Sequence, residues 1–172
     1  MNKKKLKYRV TYLEMNRKPS FDWPKNLKHK LSILLAESFP TWYFLFFYKQ
    51  VGKNYYWTDW LRKSDAEIDE FVNDKNVLLY TLIKDGWPVG FYMLDYRKKD
   101  ICDLSFFGLV DEVIGIGLGK YLLQTAILTA WDSKKIKKLT VNTCSLDHKS
   151  AIYLYQKYGF TPVKYKDLEK TV

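Results

Sequence analysis

The sequence is poor in the residues and segments that define secreted, metal-stabilised and membrane proteins. Only two of the 172 residues are cysteines, Cys102 and Cys144, and each lies among apolar residues of a predicted strand. Two such thiols favour reduced core residues over a disulfide framework or a metal site. No apolar run approaches the roughly 18 residues of a membrane-spanning helix. The lysine-rich start leads into an alternating strand, without a signal-peptide pattern, so we expect a cytoplasmic protein.

Acidic residues are also in the minority. The chain has 29 Lys and Arg residues against 19 Asp and Glu, a formal net charge of +10. A positive field suits nucleic acid, a membrane surface or an anionic small ligand. The lysines are scattered, with short clusters at 2–7, 97–99 and 134–138, and none lies in a recognisable nucleic-acid-binding motif. We therefore expect neither a nucleic-acid nor a membrane partner; the excess suits an anionic ligand, although solvated surface lysine is the simpler explanation.

Repeats, low-complexity tracts and flexible linkers are absent too, so we expect one domain over residues 1–172. A helix is expected to begin after Ser64, a plausible N-cap residue with Glu67 at the capping-box position. Asp85-Gly86 indicates a hairpin, although Trp87-Pro88 suggests a loop longer than two residues. Apolar periodicity predicts strands at 8–13, 77–83, 89–96, 101–110, 139–144 and 160–165, and helices at 25–37, 42–51, 118–131 and 149–158. This order is an α+β or mixed α/β pattern with one central sheet.

The most informative segment is a loop with glycine at every second position, Gly115, Gly117 and Gly119, which opens onto an apolar helical run. Glycine allows positive φ and close approach by a ligand, so successive N–H groups can point into one concavity. The start of the helix adds unpaired N–H groups and the positive end of its dipole, which favour a bound pyrophosphate. The spacing fits neither a dinucleotide fingerprint nor a P-loop.

Two motifs resemble the GNAT acyl-coenzyme A N-acetyltransferases. Their Q/R-x-x-G-x-G/A signature falls on 114–119, with Ile114 in the Gln/Arg place. Their N-x-x-A-x-x-L-Y-x-x-x-G-F helix matches at Ala151, Leu154, Tyr155, Gly159 and Phe160, with His148 in the Asn place. The span 106–163, including Thr143-Cys144-Ser145-Leu146-Asp147-His148, is similar to a bacterial subgroup with a T-C-T-L-D-H-P segment. A weaker resemblance extends to Val51-Gly52 and Tyr56-Trp57-Thr58.

The resemblance implies a GNAT-like α/β (α+β) fold, a central, mixed and mostly antiparallel sheet with one splayed parallel pair, flanked by helices. It implies acetyl-CoA as co-substrate, without a metal. Backbone groups around Phe107, Gly108, Leu109 and Val110 would hold the pantetheine and the acetyl carbonyl. The pyrophosphate would lie on Gly115, Ile116, Gly117, Leu118, Gly119 and Lys120, and Ala151 and Tyr155 would also contact the cofactor. Lys120 could equally be a helix-surface lysine.

The resemblance also implies catalytic roles. Tyr155 matches the family tyrosine that approaches the sulfur, and a phenol is protonated at neutral pH, so it is a candidate proton donor; alternatively it packs a helix on the sheet. His148, seven residues earlier, would share its face if the helix already includes His148. It could then be a base or a polar contact for pantetheine, or only a capping or surface residue. Asp147 is best interpreted as the helix N-cap.

Two carboxylates are candidates for the general base. Asp103 lies on a strand where it alternates in phase with Ser105 and Phe107, and Glu112 directly precedes the glycine loop. Either could instead be a solvated charge. Neither cysteine has an activating partner in the sequence, which disfavours an acetyl-cysteine route.

The acceptor is expected to bind in the N-terminal half, where aromatic residues are concentrated around one carboxylate, Asp59. Such a cluster suits an amine with an apolar or cationic body, or it simply packs the core. The aromatic residues are Trp42, Tyr43, Phe46, Phe47, Tyr48, Tyr55, Tyr56, Trp57 and Trp60.

The expected activity is N-acetyl transfer to a small-molecule or peptide amine by direct attack in a ternary complex. The alternatives are a catalytically silent acyl-CoA sensor and a basic nucleic-acid-binding protein, and a homodimer is possible.

Overall fold

A seven-stranded sheet organises the fold in the computed structural model of the chain, which describes residues 5–25 and 29–171. Four helices flank it, and short 3-10 turns lie at Trp60–Arg62 and Asp111–Val113. None of the helices in these two ranges is long and apolar enough to cross a bilayer. The elements are β1 (Lys5–Met15), β2 (Leu31–Ala36), α1 (Thr41–Gly52), α2 (Asp65–Val72), β3 (Val77–Lys84), β4 (Trp87–Asp95), β5 (Ile101–Leu109), α3 (Leu118–Ser133), β6 (Lys138–Cys144), α4 (Ala151–Lys157) and β7 (Thr161–Thr171).

The strands lie in the order β2-β3-β4-β5-β6-β1-β7. Every neighbouring pair is antiparallel except β5 and β6, which are parallel. A parallel pair needs a crossover connection, and here α3 supplies it. The expected α/β (α+β) architecture, with a mostly antiparallel sheet and one parallel pair, is confirmed.

Each face of the sheet carries its own apolar core. On one face, a stripe of α3 that includes Leu122, Ala126 and Ile127 is fully buried together with Leu94 and Leu139 of the sheet. On the other, α1 and α2 pack a largely aromatic layer onto β3, β4 and β5. The predicted capping box is confirmed at the start of α2, where the Ser64 N–H donates to Glu67 at 2.9 Å and the Glu67 N–H donates to Ser64 Oγ at 3.3 Å.

A β-bulge changes which residues of β5 share a face. Met93 pairs with Phe106 and Leu94 with Leu104, so Ser105 is the extra residue on β5. Cys102 and Leu104 therefore belong to the α3 core, and after the bulge that face takes Phe107 instead of Phe106. The prediction that Asp103 alternates in phase with Phe107 was wrong, because the inserted residue moves Phe107 to the other face.

The helix predicted at 25–37 was also wrong. Leu31–Ala36 is an edge strand that pairs antiparallel with β3, and Leu27, one of the leucines expected on the helix face, lies outside the described residues. Leu31 and Ile33 pack on the α3 core, whereas Leu34 is 54% exposed. The leucine spacing fitted both periods, and pairing with β3 decided the outcome.

The hairpin between β3 and β4 is tighter than predicted. Asp85 and Gly86, with φ of 51° and 92°, form a two-residue turn. The pairing shifts between Leu82 and Ile83, so that Leu82 faces Gly90 while Ile83 faces Pro88. This irregularity accommodates the proline, which has no N–H to give to the ladder.

Candidate functional site

The parallel pair separates shortly after it begins. β5 and β6 are paired only from Ile101 with Lys138 to Asp103 with Thr140, although β5 continues to Leu109 and β6 to Cys144. Beyond that point the two strands enclose a cavity of about 360 Å³. Backbone groups that point into this gap have no strand partner and are available to a ligand.

Most of the residues predicted to contact the cofactor line this cavity. They are Phe107, Gly108, Leu109, Gly115, Gly117, Gly119, Lys120, Ala151 and Tyr155. The others lie elsewhere: the side chains of Val110 and Leu118 are in the core, and that of Ile116 is exposed outside the cavity wall. The Val110 N–H donates to the Val89 carbonyl at 2.9 Å, so it is not free for a ligand.

The glycine loop presents the start of α3 to the cavity. Gly117 is the N-cap residue in a left-handed conformation, with φ of 90°, and no side chain caps the helix. Its first N–H groups are therefore open to an anion, as the sequence suggested. A Cβ on Gly119 would meet only Leu109 and Leu154 side chains, at 3.9 and 4.0 Å. The nearby Lys120 is exposed.

Tyr155 lies in the cavity wall on the α3 face of the sheet. Its side chain is buried, and its ring packs edge-on against Phe107 and Phe160, with centroids 6.1 and 5.8 Å apart. Burial raises the pKa of the phenol well above its usual range, and the Asp147 carboxylate raises the pKa further. The hydroxyl is therefore protonated at neutral pH.

Asp147 is not the helix N-cap that the sequence suggested. Ser150 holds that position in α4, and Asp147 belongs to the turn between β6 and α4. One carboxylate oxygen accepts from Thr143 Oγ1 at 2.9 Å and from the Cys144 N–H at 2.7 Å. The other accepts from the Trp57 indole N–H at 3.1 Å. Asp147 thus ties the segment after α1 to the turn that leads into Tyr155.

His148 lines the cavity but precedes α4, so the premise that it shares a helix face with Tyr155 was wrong. Its Nδ1 accepts from the Ser150 N–H at 3.2 Å, and its ring meets Tyr55 edge-on. Because an amide N–H can only donate, the neutral ring carries its proton on Nε2. His148 can therefore offer a donor to a ligand, while its lone pair is already engaged.

The two candidate bases are placed differently. Glu112 is exposed, in the 3-10 turn before the glycine loop, and does not line the cavity. Asp103 is half-buried at the end of the paired segment, on the face that carries α1 and α2. It accepts from Ser105 Oγ at 2.8 Å and from Thr140 Oγ1 at 2.5 Å. Asp103 does not touch the cavity, but Ser105 does.

The aromatic cluster mostly packs the core. Phe47 and Tyr48 are buried between α1 and the sheet, and Trp42 is exposed. Only Tyr55 and Trp57 from this cluster reach the cavity. Asp59 lies 3.7 Å from Lys170 in an ion pair.

Several cavity residues escaped sequence reasoning. Among them are Ser105, Phe106, Asn142 and Asp147, which was interpreted only as a helix N-cap. Trp57 was predicted as a member of the aromatic cluster and through the weak Tyr56-Trp57-Thr58 similarity. The sequence contains no signal for Ser105, because its exposure to the cavity follows from the bulge.

Comparison with known proteins agrees with this geometry. The model of the acetyltransferase (GNAT) family matches residues 36–160, and no curated protein matches the sequence. A GCN5-related N-acetyltransferase from Kribbella flavida superposes with a TM-score of 0.58 at 15% identity, over 95% of this chain and 57% of that one. A GNAT family acetyltransferase from Elizabethkingia anophelis with acetyl-CoA bound gives 0.57 at 23% identity, over 78% of each chain.

Aminoglycoside N-acetyltransferase AAC(6')-Iy in complex with CoA gives a TM-score of 0.56 at 16% identity, over 79% of this chain and 91% of that one. This chain spans between 51% and 66% of the length of four solved relatives, including the one from Kribbella flavida. At these identities the structures establish a shared fold. Since the family model covers most of the sequence, from the end of β2 to the residue before β7, the chain belongs to the GNAT acetyltransferase family.

Proposed function

We propose that this protein is an acetyl-CoA-dependent N-acetyltransferase that transfers the acetyl group directly to a primary amine in a ternary complex. The observation that carries the proposal is the cavity between β5 and β6, whose wall contains both the uncapped start of α3 and the buried Tyr155. Family membership supports acetyl transfer in general. The relatives with bound acetyl-CoA or CoA support the donor.

The loop would hold the pyrophosphate through its backbone amides, from Gly115 through Ile116, Gly117 and Leu118 to Gly119. Lys120 adds a positive charge at the cavity wall. Ile114 also lines the cavity and offers no polar group to a phosphate. The amides and the helix dipole therefore supply most of this binding.

The pantetheine arm would lie along the open edge of β5. Phe107, Gly108 and Leu109 are paired with β4 on one side, and on the other side they face the gap. Their free backbone groups suit an amide-bearing ligand. The His148 Nε2–H and the small side chain of Ala151 complete this wall.

Three tasks remain for the side chains: the amine must be neutral, the acetyl oxygen must be stabilised, and the thiolate must receive a proton. Tyr155 is the proton donor in this proposal, because it is buried, protonated and in the cavity wall. Asp103 is the base in preference to Glu112, since Asp103 is bonded to the cavity residue Ser105.

A covalent route through cysteine has little support. Cys102 is buried, and burial raises the pKa of its thiol. Burial also raises the pKa of Cys144, and the Asp147 carboxylate adds to the increase. Neither thiol is activated as a nucleophile.

Acetyl-CoA binding by calorimetry tests the cofactor part of the proposal. Gly117→Glu should abolish binding, because it places a carboxylate at the pyrophosphate position. Gly86→Glu is a matched control: Gly86 has φ of 92°, close to the 90° of Gly117, and a Cβ at either glycine meets nothing within 4 Å. The control lies in the β3–β4 turn and should bind normally.

Turnover with a panel of amines tests the reaction. The panel contains spermidine, kanamycin, free amino acids and a peptide with a free N-terminus, and release of the CoA thiol is followed. Acetylation of one of them supports the proposal. Tight binding of acetyl-CoA without transfer to any amine would favour an acyl-CoA sensor, and equal loss of binding in both glutamate variants would refute the assignment of the loop.

A further inference from the structure

The bulge in β5 gives Ser105 a position that regular pairing would not. Its neighbours Leu104 and Phe106 pair with consecutive residues of β4, while Ser105 is left without a partner in that register. Bulges re-aim side chains, and they are common next to active sites. Ser105 lines the cavity directly beyond the last paired residues of β5 and β6.

The Ser105 hydroxyl is bonded to a carboxylate that does not itself reach the cavity. Ser105 Oγ donates to Asp103 Oδ2 at 2.8 Å, and the second oxygen, Oδ1, accepts from Thr140 Oγ1 at 2.5 Å. These two bonds fix the carboxylate at the inner end of the gap. The hydroxyl donates to the carboxylate, so its lone pairs remain available to a donor from the cavity.

The Ser105–Asp103 pair and Tyr155 approach the gap from opposite faces of the sheet. Tyr155 belongs to the α3 core. Asp103 lies on the α1–α2 face, with Phe106 packed among the aromatic residues there. An acceptor amine on this second face would meet Ser105, and a thiolate leaving on the first would meet Tyr155.

We propose that Ser105 is a catalytic residue that passes a proton from the acceptor ammonium to Asp103. This inference rests on the proposed acetyl transfer and adds its proton path. The ammonium N–H bond breaks as its proton moves to Ser105 Oγ, while the Ser105 proton moves to Asp103 Oδ2. The carboxylate becomes a carboxylic acid, and the amine nitrogen gains a lone pair for attack.

The remaining steps balance the reaction. The amine nitrogen forms a bond to the acetyl carbon, the carbon–sulfur bond breaks, and Tyr155 gives its proton to the sulfur. The nitrogen then loses its second proton, which restores the phenol. Asp103 releases its proton to solvent, so one ammonium and one thioester yield an amide, a thiol and one proton.

The charged groups on the strands next to Asp103 each form an ion pair with a residue other than Asp103. Asp95 of β4, directly across the ladder, is bonded to Arg97 at 2.7 Å. Lys138 of β6 is bonded to Glu14 of β1, also at 2.7 Å. Asp103 has no ion pair within the residues that the structure describes, so its bonding partners are the two hydroxyls.

The pH dependence of kcat/KM for acetyl transfer tests the relay, with the amine from the panel that is turned over fastest. Ser105→Ala and Asp103→Asn should each lower kcat/KM at pH 7 by about 100-fold, a typical share for general base catalysis. The loss should shrink as the pH rises through the pKa of the amine, about 10.4 for a lysine-like alkyl amine, because the neutral amine then forms in solution without the relay. Ser105→Thr, which keeps a hydroxyl, should restore most of the activity.

Two further results decide the assignment. The double variant should be no slower than Asp103→Asn alone, because the two residues act as one unit. A Ser105→Ala loss that is equal at every pH, or multiplicative with Asp103→Asn, would overturn the relay while wild-type transfer upholds the proposed function. Absence of transfer by the wild type to any amine would overturn both. Acetyl-CoA affinity, measured in parallel, should be unchanged in all these variants, and the melting temperature should fall by about 5 °C at most, the cost of a hydrogen bond to Asp103.

Discussion

In the proposed function, the cavity has a cofactor side and an acceptor side, which would recognise their ligands with different parts of the chain. On the cofactor side, the glycine loop and the unpaired edge of β5 present backbone groups. On the acceptor side, the chemistry lies in side chains, chiefly Ser105 with Asp103 and Trp57 with Asp147. Recognition by backbone groups does not depend on the identity of a neighbouring side chain such as that of Ile114, whereas recognition by side chains changes with each substitution. We infer that the cofactor side tolerates changes in the neighbouring side chains, and that the side chains of the acceptor side determine which amine is accepted.

Removing the Tyr155 hydroxyl should produce the largest effect in this comparison. Tyr155→Phe keeps the ring between Phe107 and Phe160, so acetyl-CoA affinity should change by less than twofold. Turnover should fall by about 100-fold, a usual contribution of a general acid. Steady-state kinetics and calorimetry on one preparation separate the two quantities.

The pH profile checks the same residue. Because burial raises the Tyr155 pKa, the protonated phenol persists above pH 10, where an exposed tyrosine ionises. The stability that this neutral group contributes is present below pH 10 and is lost as the pH rises through the higher folded-state pKa. A decline in kcat with an apparent pKa below 10 that disappears in Tyr155→Phe would contradict this assignment.

A smaller effect is expected at the hydrogen bond between Trp57 and Asp147 on the proposed acceptor side. Trp57→Phe removes the indole N–H that Asp147 accepts, and leaves Asp147 with Thr143 Oγ1 and the Cys144 N–H. A hydrogen bond to a charged group contributes about 1.5 kcal/mol. We expect the KM for the amine to rise about tenfold and acetyl-CoA affinity to stay constant.

Thr143→Val is the matched control for this prediction, since it removes a different donor to Asp147 and leaves the indole bond intact. It should affect the amine KM less than Trp57→Phe does. A parallel loss of acetyl-CoA affinity in Trp57→Phe would mean that Trp57 belongs to the cofactor side.

The smallest effect should come from adding a side chain to the backbone site. Ile114 is 39% exposed and lines the cavity, so a longer polar residue fits without displacing the core. Ile114→Arg should tighten acetyl-CoA binding about threefold, by a charge-assisted bond to a phosphate. Ile114→Met controls for chain length. Weaker binding of the arginine variant at low salt would place the pyrophosphate away from Ile114.

Local signals in the sequence predicted the start of α2 and the glycine loop before α3. The capping box at Ser64 and the glycine run before α3 are patterns a few residues long, and their structural cause is equally local. The acceptor side depends on pairings between distant strands. The bulge at Ser105 is defined only by the partners of Leu104 and Phe106 on β4, and the sequence of β5 alone does not indicate it.

The errors have the same origin. The leucines at 31–35 fit a helix until β3 is known to lie beside them. Asp147 resembles an N-cap in sequence, but its carboxylate is bonded to Trp57, which is 90 residues away. Long-range bonds of this kind overrule local preference, and they concentrate where the acceptor side is built.

The point at which β5 and β6 separate also fixes the length of open strand that is available to a ligand. The ladder stops at Asp103 with Thr140, and the five residue steps from Leu104 to Leu109 cover about 17 Å of open strand at 3.3 Å per residue. An extended ligand arm in the gap could reach no further along β5 than the last residue pair of the ladder. If the gap holds the cofactor arm as proposed, a slip of one residue in this short parallel ladder would move the acetyl carbon by about 3.3 Å relative to Tyr155. The three residue pairs would then align the donor with the proposed proton donor.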